Sequence, residues 1–443
     1  MKNIFTKSIA GALPAACALL AFGCAAPSVN TSAYAPKYDA FASGKVLLDN
    51  NGRHVNAHGA GFLFDGGRYY MFGEHKVGGT LGNKSIVGVH CYSSADLYNW
   101  RDEGIALEMG KDPQSPIIVG TILERPKVVF NKKTGKYVMW FHIENRVGAT
   151  ATSPKIEDII AEKGSYKTAK AGVAVADSVA GPYKFAGAFR LNAGKYPIGE
   201  EAELKAARKA LEAKYPDWRT RKFDFKRMDK SGLESKASFL KYFEEGQMLR
   251  DMTVFVDDDD KAYLVCSSED NATLHISELS DDYQSLSGRF ARAFPLEYNE
   301  APALFKKGGK YYMFTSHCTG WRPNPLRVAV ADSIFGPWKA CGDRTRGLNV
   351  SENDTRGNVK IPLNAQHKSD AVGVQTGDTF KSQSTYVIKV EGKKDAFIYV
   401  GDRWIPRDAI DGRYIFLPVE WEADGLPVIR WYGLWNLSFF DKK

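Results

Sequence analysis

One pattern constrains this chain more than any other. A short apolar run, a Gly- or Asp-rich turn and an aromatic-rich run recur five times. The copies run over residues 58–74, 124–141, 251–266, 300–314 and 383–400. Their turns fall at 65–67, 131–135, 257–260, 306–309 and 391–392. Turn chemistry together with β-branched and aromatic content predicts a β-hairpin for each copy. Further strand-like pieces follow them. Val173-Ala-Val-Ala-Asp177-Ser-Val-Ala-Gly-Pro182 and Val328-Ala-Val-Ala-Asp332-Ser-Ile-Phe-Gly-Pro337 are near copies of each other. Five four-stranded units around one axis make an all-β, five-bladed β-propeller. A β-sandwich has no reason to repeat such a unit five times.

The rhythm breaks once. Leu204, Ala207 and Leu211 recur at helical spacing among charges, and Pro216 ends the run. Residues from about 191 to 247 therefore read as a partly helical insertion between blades two and three. The acidic turn at 257–260 lacks the Gly and distal Glu of a calcium loop and reads as a hairpin turn.

The first residue of each repeat carries the chemistry. The innermost strand of a propeller blade runs beside the central channel, so residues opening these strands converge at one mouth. Here the openers are His58, Glu124, Asp251, Glu300 and Gln383. A solvated turn explains any one of these residues. Five at matching phase predict a polar pocket in which carboxylates perturb one another. Inverting glycoside hydrolysis needs such a pair: a protonated carboxyl beside the leaving oxygen, and a base roughly 6.5–9.5 Å away on the opposite ring face.

Several stretches carry a resemblance. They are Asn56-Ala-His-Gly-Ala-Gly61, Tyr70-Met-Phe-Gly-Glu74-His75-Lys76, Leu123-Glu-Arg-Pro-Lys127, Arg250-Asp-Met-Thr253, Asn299-Glu-Ala-Pro302, Ser316-His-Cys-Thr-Gly-Trp-Arg-Pro-Asn324, Ser382-Gln-Ser-Thr385 and Gly401-Asp-Arg-Trp404. Taken in order over residues 46–437, they resemble the family 43 glycoside hydrolases, and more narrowly the exo-β-1,3-galactanase (galactan 1,3-β-galactosidase) branch. The resemblance implies a general acid at Glu300 and an acid-tuning, sugar-orienting Asp at Asp251. Most of the family opens the first blade with a basic Asp, and this chain has His58-Gly-Ala-Gly61 there instead. The branch shares that gap and uses a Gln in its imidic tautomer, which matches Gln383. By the same resemblance Glu124, Glu74, His58, Thr319, Trp321, Arg403 and Trp404 line the sugar site. The implied partner is β-1,3-linked galactan, as in the arabinogalactan backbone, with no cofactor. An α-L-arabinofuranosidase or β-xylosidase on the same fold is one alternative, and the missing first-blade Asp counts against it. A glycan-binding propeller without catalysis is the other, and Glu300 with Asp251 counts against it.

Lys2 and Lys7 precede an apolar run from 9 to 22 that is too short to span a membrane. It ends in Ala21-Phe22-Gly23-Cys24, which resembles a bacterial lipoprotein box with lipidation at Cys24. The expected organisation is a lipoprotein-type signal over 1–24, a tether over 25–45 and the propeller over 46–443. This predicts an exported protein of the cell envelope, with a lipid anchor as its sole membrane attachment. Cys91, Cys266, Cys318 and Cys341 fit no zinc spacing and read first as free thiols, with a disulfide of unassigned pairing as the alternative in an exported protein. The formal charge of +8 is spread along the chain, which argues against nucleic acid.

Overall fold

In the computed structural model, which describes residues 37–80, 82–112, 114–144, 168–320, 322–347, 377–405 and 408–442, each repeat opens an antiparallel four-stranded sheet. The first sheet comprises His58–Asp65, Arg68–Lys76, Ile86–Ser94 and Arg101–Glu108. Ile122–Asn131, Lys136–Glu144, Lys170–Ala176 and Lys184–Phe189 form the second. The third is built from Met252–Val256, Ala262–Ser268, Thr273–Leu279 and Leu286–Ala293. Asn299–Lys307, Lys310–His317, Arg327–Ala331 and Lys339–Gly342 make the fourth. The fifth holds Gln383–Lys389, Phe397–Arg403, Arg413–Trp421 and Pro427–Arg430, and Thr345–Arg346 joins its outer edge in parallel. This is the five-bladed propeller that the repeats predict.

The apolar cores lie between successive blades rather than inside any one of them. Phe72 and Cys91 of the first blade pack with Met139 and Phe141 of the second. Trp140 and Val173 meet Val254 and Leu264 across the next interface. Val265 and Ile276 meet Met313 and Ala329 across the one after that. The largest cluster joins the fourth, fifth and first blades and so closes the ring. A strand buried on both faces must be apolar on both, which is why the inner hairpins read as near-continuous apolar runs.

Ring closure also uses polar ties between the two ends of the chain. Tyr414 of the fifth blade donates its hydroxyl to the Val55 carbonyl at 2.9 Å and accepts from the Ala57 N–H at 2.9 Å. Thr385 donates to the Ala60 carbonyl at 2.9 Å. Phe41–Ala42 pairs with Leu434–Trp435, and the Phe41 ring stacks on Trp435 at 4.5 Å and on Phe416 at 5.5 Å. The tether expected to reach residue 45 therefore gives way earlier, because residues 37–45 belong to the fold. One apolar side chain in a polar run, Phe41, finds an aromatic socket and is buried. Cys24 and the signal lie outside the described residues.

The insertion contains the helix Glu201–Lys214, and its buried face is Leu204, Ala207 and Leu211. They pack with Phe239 and with Phe290 of the third blade. Arg292 of that blade binds Glu269 at 2.7 Å and Glu200, just ahead of the helix, at 2.8 Å. Of the long segment from 344 to 380, residues 348–376 lie outside the described residues. Among the described residues, Cys91 and Cys266 are buried free thiols, and Cys318 and Cys341 are free and half-buried.

Inner strands approach neighbouring backbone so closely that some positions exclude any side chain. A Cβ at Gly73 would stand 2.2 Å from the Ala57 carbonyl. Gly73→Ala should destabilise the protein by about 1–3 kcal/mol or more, lowering the thermal midpoint. Gly78→Ala, where a Cβ meets nothing within 4 Å, should leave the midpoint unchanged. Equal midpoints for both variants in thermal unfolding would contradict this packing.

Candidate active site

The openers reach the pocket because their strands are kinked there. His58 pairs with Glu74, Glu124 with His142, and Glu300 with Ser316. After each opener the register slips before pairing resumes. The next residue takes a positive φ in all three: 65° at Gly59, 54° at Arg125 and 52° at Ala301. A bulge bends its strand and re-aims the side chain beside it. Gln383 pairs with Asp402, and the slip there comes one residue later. Asp251 sits just ahead of its strand, its carbonyl held by the Ser267 N–H at 2.9 Å.

All five openers line one pocket of about 540 Å³, together with Glu74, Thr319, Arg403 and Trp404. Trp321 lies outside the described residues. The pocket also takes in Asn83, Arg125, His142, Asn271 and Asp402, which the repeat pattern did not single out. Among the described residues, no cluster of three or more His, Cys, Asp or Glu is placed to hold a metal ion.

Glu300 accepts a hydrogen bond from Asn271 Nδ2 at 2.9 Å. Burial first, and the charge of Asp251 second, push its carboxyl up to about 7. Asp251 in turn binds Arg125 Nε at 2.9 Å. The same guanidinium donates to Gln383 Oε1 at 2.5 Å and to the Ser384 carbonyl at 3.0 Å. Gln383 Nε2 donates to Ser316 Oγ at 2.8 Å. A guanidinium has only donors, so the amide oxygen must face it and the nitrogen must face the other way.

A second network runs along the wall from the first blade to the second. Glu74 binds Lys76 at 3.0 Å, as its place at a strand end suggests, and accepts from the Arg125 backbone N–H at 3.0 Å. Lys76 donates to Asn83, and Asn83 donates to Glu124 at 2.5 Å. Glu124 meets His142 Nδ1 at 3.1 Å, and His142 Nε2 meets Glu144 at 2.8 Å. Burial pulls His142 down, but bonds to two carboxylates outweigh it and raise the imidazole to about 9. His142 is thus an imidazolium held between Glu124 and Glu144 beside the pocket.

The remaining predicted residues shape the rim and floor. Trp404 lies against Gly82 and over the Lys76 ammonium, with His58 at 6.4 Å. Burial and the cations Lys76, Arg125 and Lys127 hold His58 well below the usual histidine range, so it is neutral. Thr319 spends its hydroxyl on its own loop, with the Arg322 carbonyl and Asn324 as partners. Arg403 donates to the Phe380 carbonyl at 3.0 Å and lies over Trp431. Beneath the pocket, buried Lys127 donates to the Gly59 carbonyl at 2.9 Å, and burial then Arg125 lower it to about 7. Burial lifts Asp402, which accepts from the Gly59 N–H at 2.8 Å, to about 6.

The raised basicity of His142 makes a testable statement. Its folded-state affinity for a proton exceeds that of the unfolded chain, so the stabilisation is complete below pH 6.5 and is lost as pH rises through about 9. Stability in denaturant titrations should fall across that window, and His142→Gln should flatten the fall. Nitrogen NMR should find both ring nitrogens protonated at neutral pH, and a neutral ring there would contradict the assignment.

Known proteins are similar to this chain in sequence and fold. Residues 235–362 match the family model for glycosyl hydrolases of family 43. A solved family 43 β-1,3-galactosidase with galactodeoxynojirimycin is 40% identical over 90% of this chain and 100% of that chain, with a TM-score of 0.73. An exo-β-1,3-galactanase from Phanerochaete chrysosporium with β-1,3-galactotriose is 27% identical over 90% of this chain and 68% of that one, with a TM-score of 0.62. A β-D-galactofuranosidase of Aspergillus niger is 34% identical over 129 residues, 29% of this chain. The match spans 31% of that curated relative's length.

Proposed function

This chain belongs to glycoside hydrolase family 43, and within that family we propose that it removes galactose from the end of β-1,3-linked galactan with inversion at C1. The observation that carries the reading is Glu300, a pocket carboxyl whose surroundings raise it to about 7 and keep a proton available near neutrality. The galactose specificity draws on the β-1,3-galactosidase and exo-β-1,3-galactanase relatives, which share the fold along nearly the whole of this chain.

In the proposed step the Glu300 carboxyl donates its proton to the glycosidic oxygen as the C1–O bond breaks. Burial, and then the like charge of Asp251, keep Glu300 protonated, and Asp251 orients the sugar. A water attacks C1 from the opposite face, and Gln383 takes its proton through Nε2 in the imidic tautomer. Solvent then returns a proton to Glu300 and takes the extra proton from Gln383, which restores both side chains. Each heteroatom of the Gln383 side chain has one protein partner, which leaves a second position on each. Glu124, paired with His142, and Glu74 accept hydrogen bonds from ring hydroxyls, and Trp404 offers an apolar face.

The acid role fixes the pH dependence. The acid works only while protonated, so activity should fall as pH rises through about 7. Asp251→Asn removes one cause of the raised value, so the alkaline limb should move to lower pH. Glu300→Gln should slow galactose release from β-1,3-galactan by roughly 10²-fold or more. The loss should shrink on aryl galactosides whose leaving group needs no proton. Equal losses on both substrates would remove Glu300 as the acid, and absence of galactose from wild-type digests of the polysaccharide would remove the substrate.

A further inference from the structure

We propose that Arg125 is a positioning residue of this reaction: its guanidinium sets the orientation of the Gln383 amide and the place of Asp251 together. The proposal rests on the hydrolase reading above and assigns a part in it to a residue outside the acid and base pair.

Arg125 comes from the second blade, Asp251 from the third and Gln383 from the fifth. Its Nε reaches Asp251 at 2.9 Å, one Nη reaches Gln383 Oε1 at 2.5 Å, and the other reaches the Ser384 carbonyl at 3.0 Å. Five donors on one rigid plane suit three simultaneous partners, whereas a lysine offers a single point charge. The backbone at Arg125 is itself unusual. It holds φ at 54° on a residue with a long side chain, and the Glu74 carboxylate accepts its N–H at 3.0 Å. A long side chain held in that backbone region points to a demand made at this position.

The chemical consequence follows from which atom faces which. An amide rotated by half a turn would aim its N–H groups at the guanidinium, donor against donor. Arg125 therefore fixes the oxygen toward itself and leaves the nitrogen toward Ser316, beside the acid's strand, where Ser316 pairs with Glu300. The atom that meets the attacking water is chosen by a residue that need not touch it. The same guanidinium holds Asp251, whose charge acts on Glu300. One side chain thus coordinates the acid half and the water half of the site.

The test compares the full-length wild type with Arg125→Lys and Arg125→Ala on β-1,3-galactan and on an aryl β-galactoside. Misplacement of catalytic groups by about 1 Å costs on the order of 10²-fold, so kcat should fall by about that factor in both variants while KM moves by less than about threefold. Guanidinium ion at tens of millimolar should restore activity to Arg125→Ala, and ammonium should not. Loss of a cation that holds Glu300 down should also move the alkaline limb of Arg125→Ala to higher pH. Thermal unfolding reports folding separately, and if Arg125→Ala does not fold, Arg125→Lys carries the comparison. Wild-type kcat in Arg125→Lys, or a lowered thermal midpoint with kcat and pH profile unchanged, would make Arg125 only a tie between blades and overturn the proposal. Failure of the substrate reading looks different: the wild type would then cleave the aryl galactoside and leave the polysaccharide intact, and the Arg125 comparison would still be decided on the aryl substrate.

Discussion

Five inner strands that begin at the same end of one axis aim their first side chains at one another. The structure answers that constraint throughout. Three carboxylates cannot be gathered in a half-buried pocket without cations, because an unpaired buried charge costs several kcal/mol. The chain therefore sends in Arg125, Lys76, Lys127 and a protonated His142, each from a strand that already carries or neighbours an opener. Pairing is uneven. Asp251 and Glu124 meet cations directly, whereas Glu300 has an amide donor and an anionic neighbour. That asymmetry, together with burial, is what lifts the Glu300 carboxyl.

The scaffold makes the asymmetry durable. Apolar cores between blades fix the five sheets against each other, so opener positions are set by the ring and not by loops. Closure relies on both ends of the described fold, through Tyr414, Thr385 and the Phe41 socket. Bulges at three openers turn the side chains inward and leave the rest of each strand in register. The pocket thus inherits the stiffness of the sheets, which suits chemistry that depends on preorganised groups.

Much of this was legible in the sequence, and the reason is periodicity. A repeat reveals phase, and phase alone placed His58, Glu124, Asp251, Glu300 and Gln383 at one mouth. The helix over 201–214 was legible for a related reason, since Leu204, Ala207 and Leu211 mark one face. Partners were not legible. Nothing in the chain order says that Asn271 reaches Glu300, or that Asn83 reaches Glu124, because those bonds join separate turns across folded space. Arg125 left a faint sign: it follows an opening carboxylate and precedes a proline, where a bulge falls. Lys127 and Asp402 lie buried, which no local pattern of the sequence announces. Phe41 falls in a run rich in Ala, Ser, Pro and Asn that reads as a tether, and only the packed aromatic socket shows otherwise.

The proposed mechanism sets an acid and an amide that takes the water's proton on opposite sides of the sugar, with no covalent step between them. Stereochemistry tests it most directly. Proton NMR in the first minutes of hydrolysis of a β-1,3-galacto-oligosaccharide, before mutarotation, reads the anomer released. Inversion should deliver α-galactose first, with the β-anomer growing only at the mutarotation rate. Initial release of β-galactose would require a carboxylate nucleophile in the pocket and would contradict the mechanism.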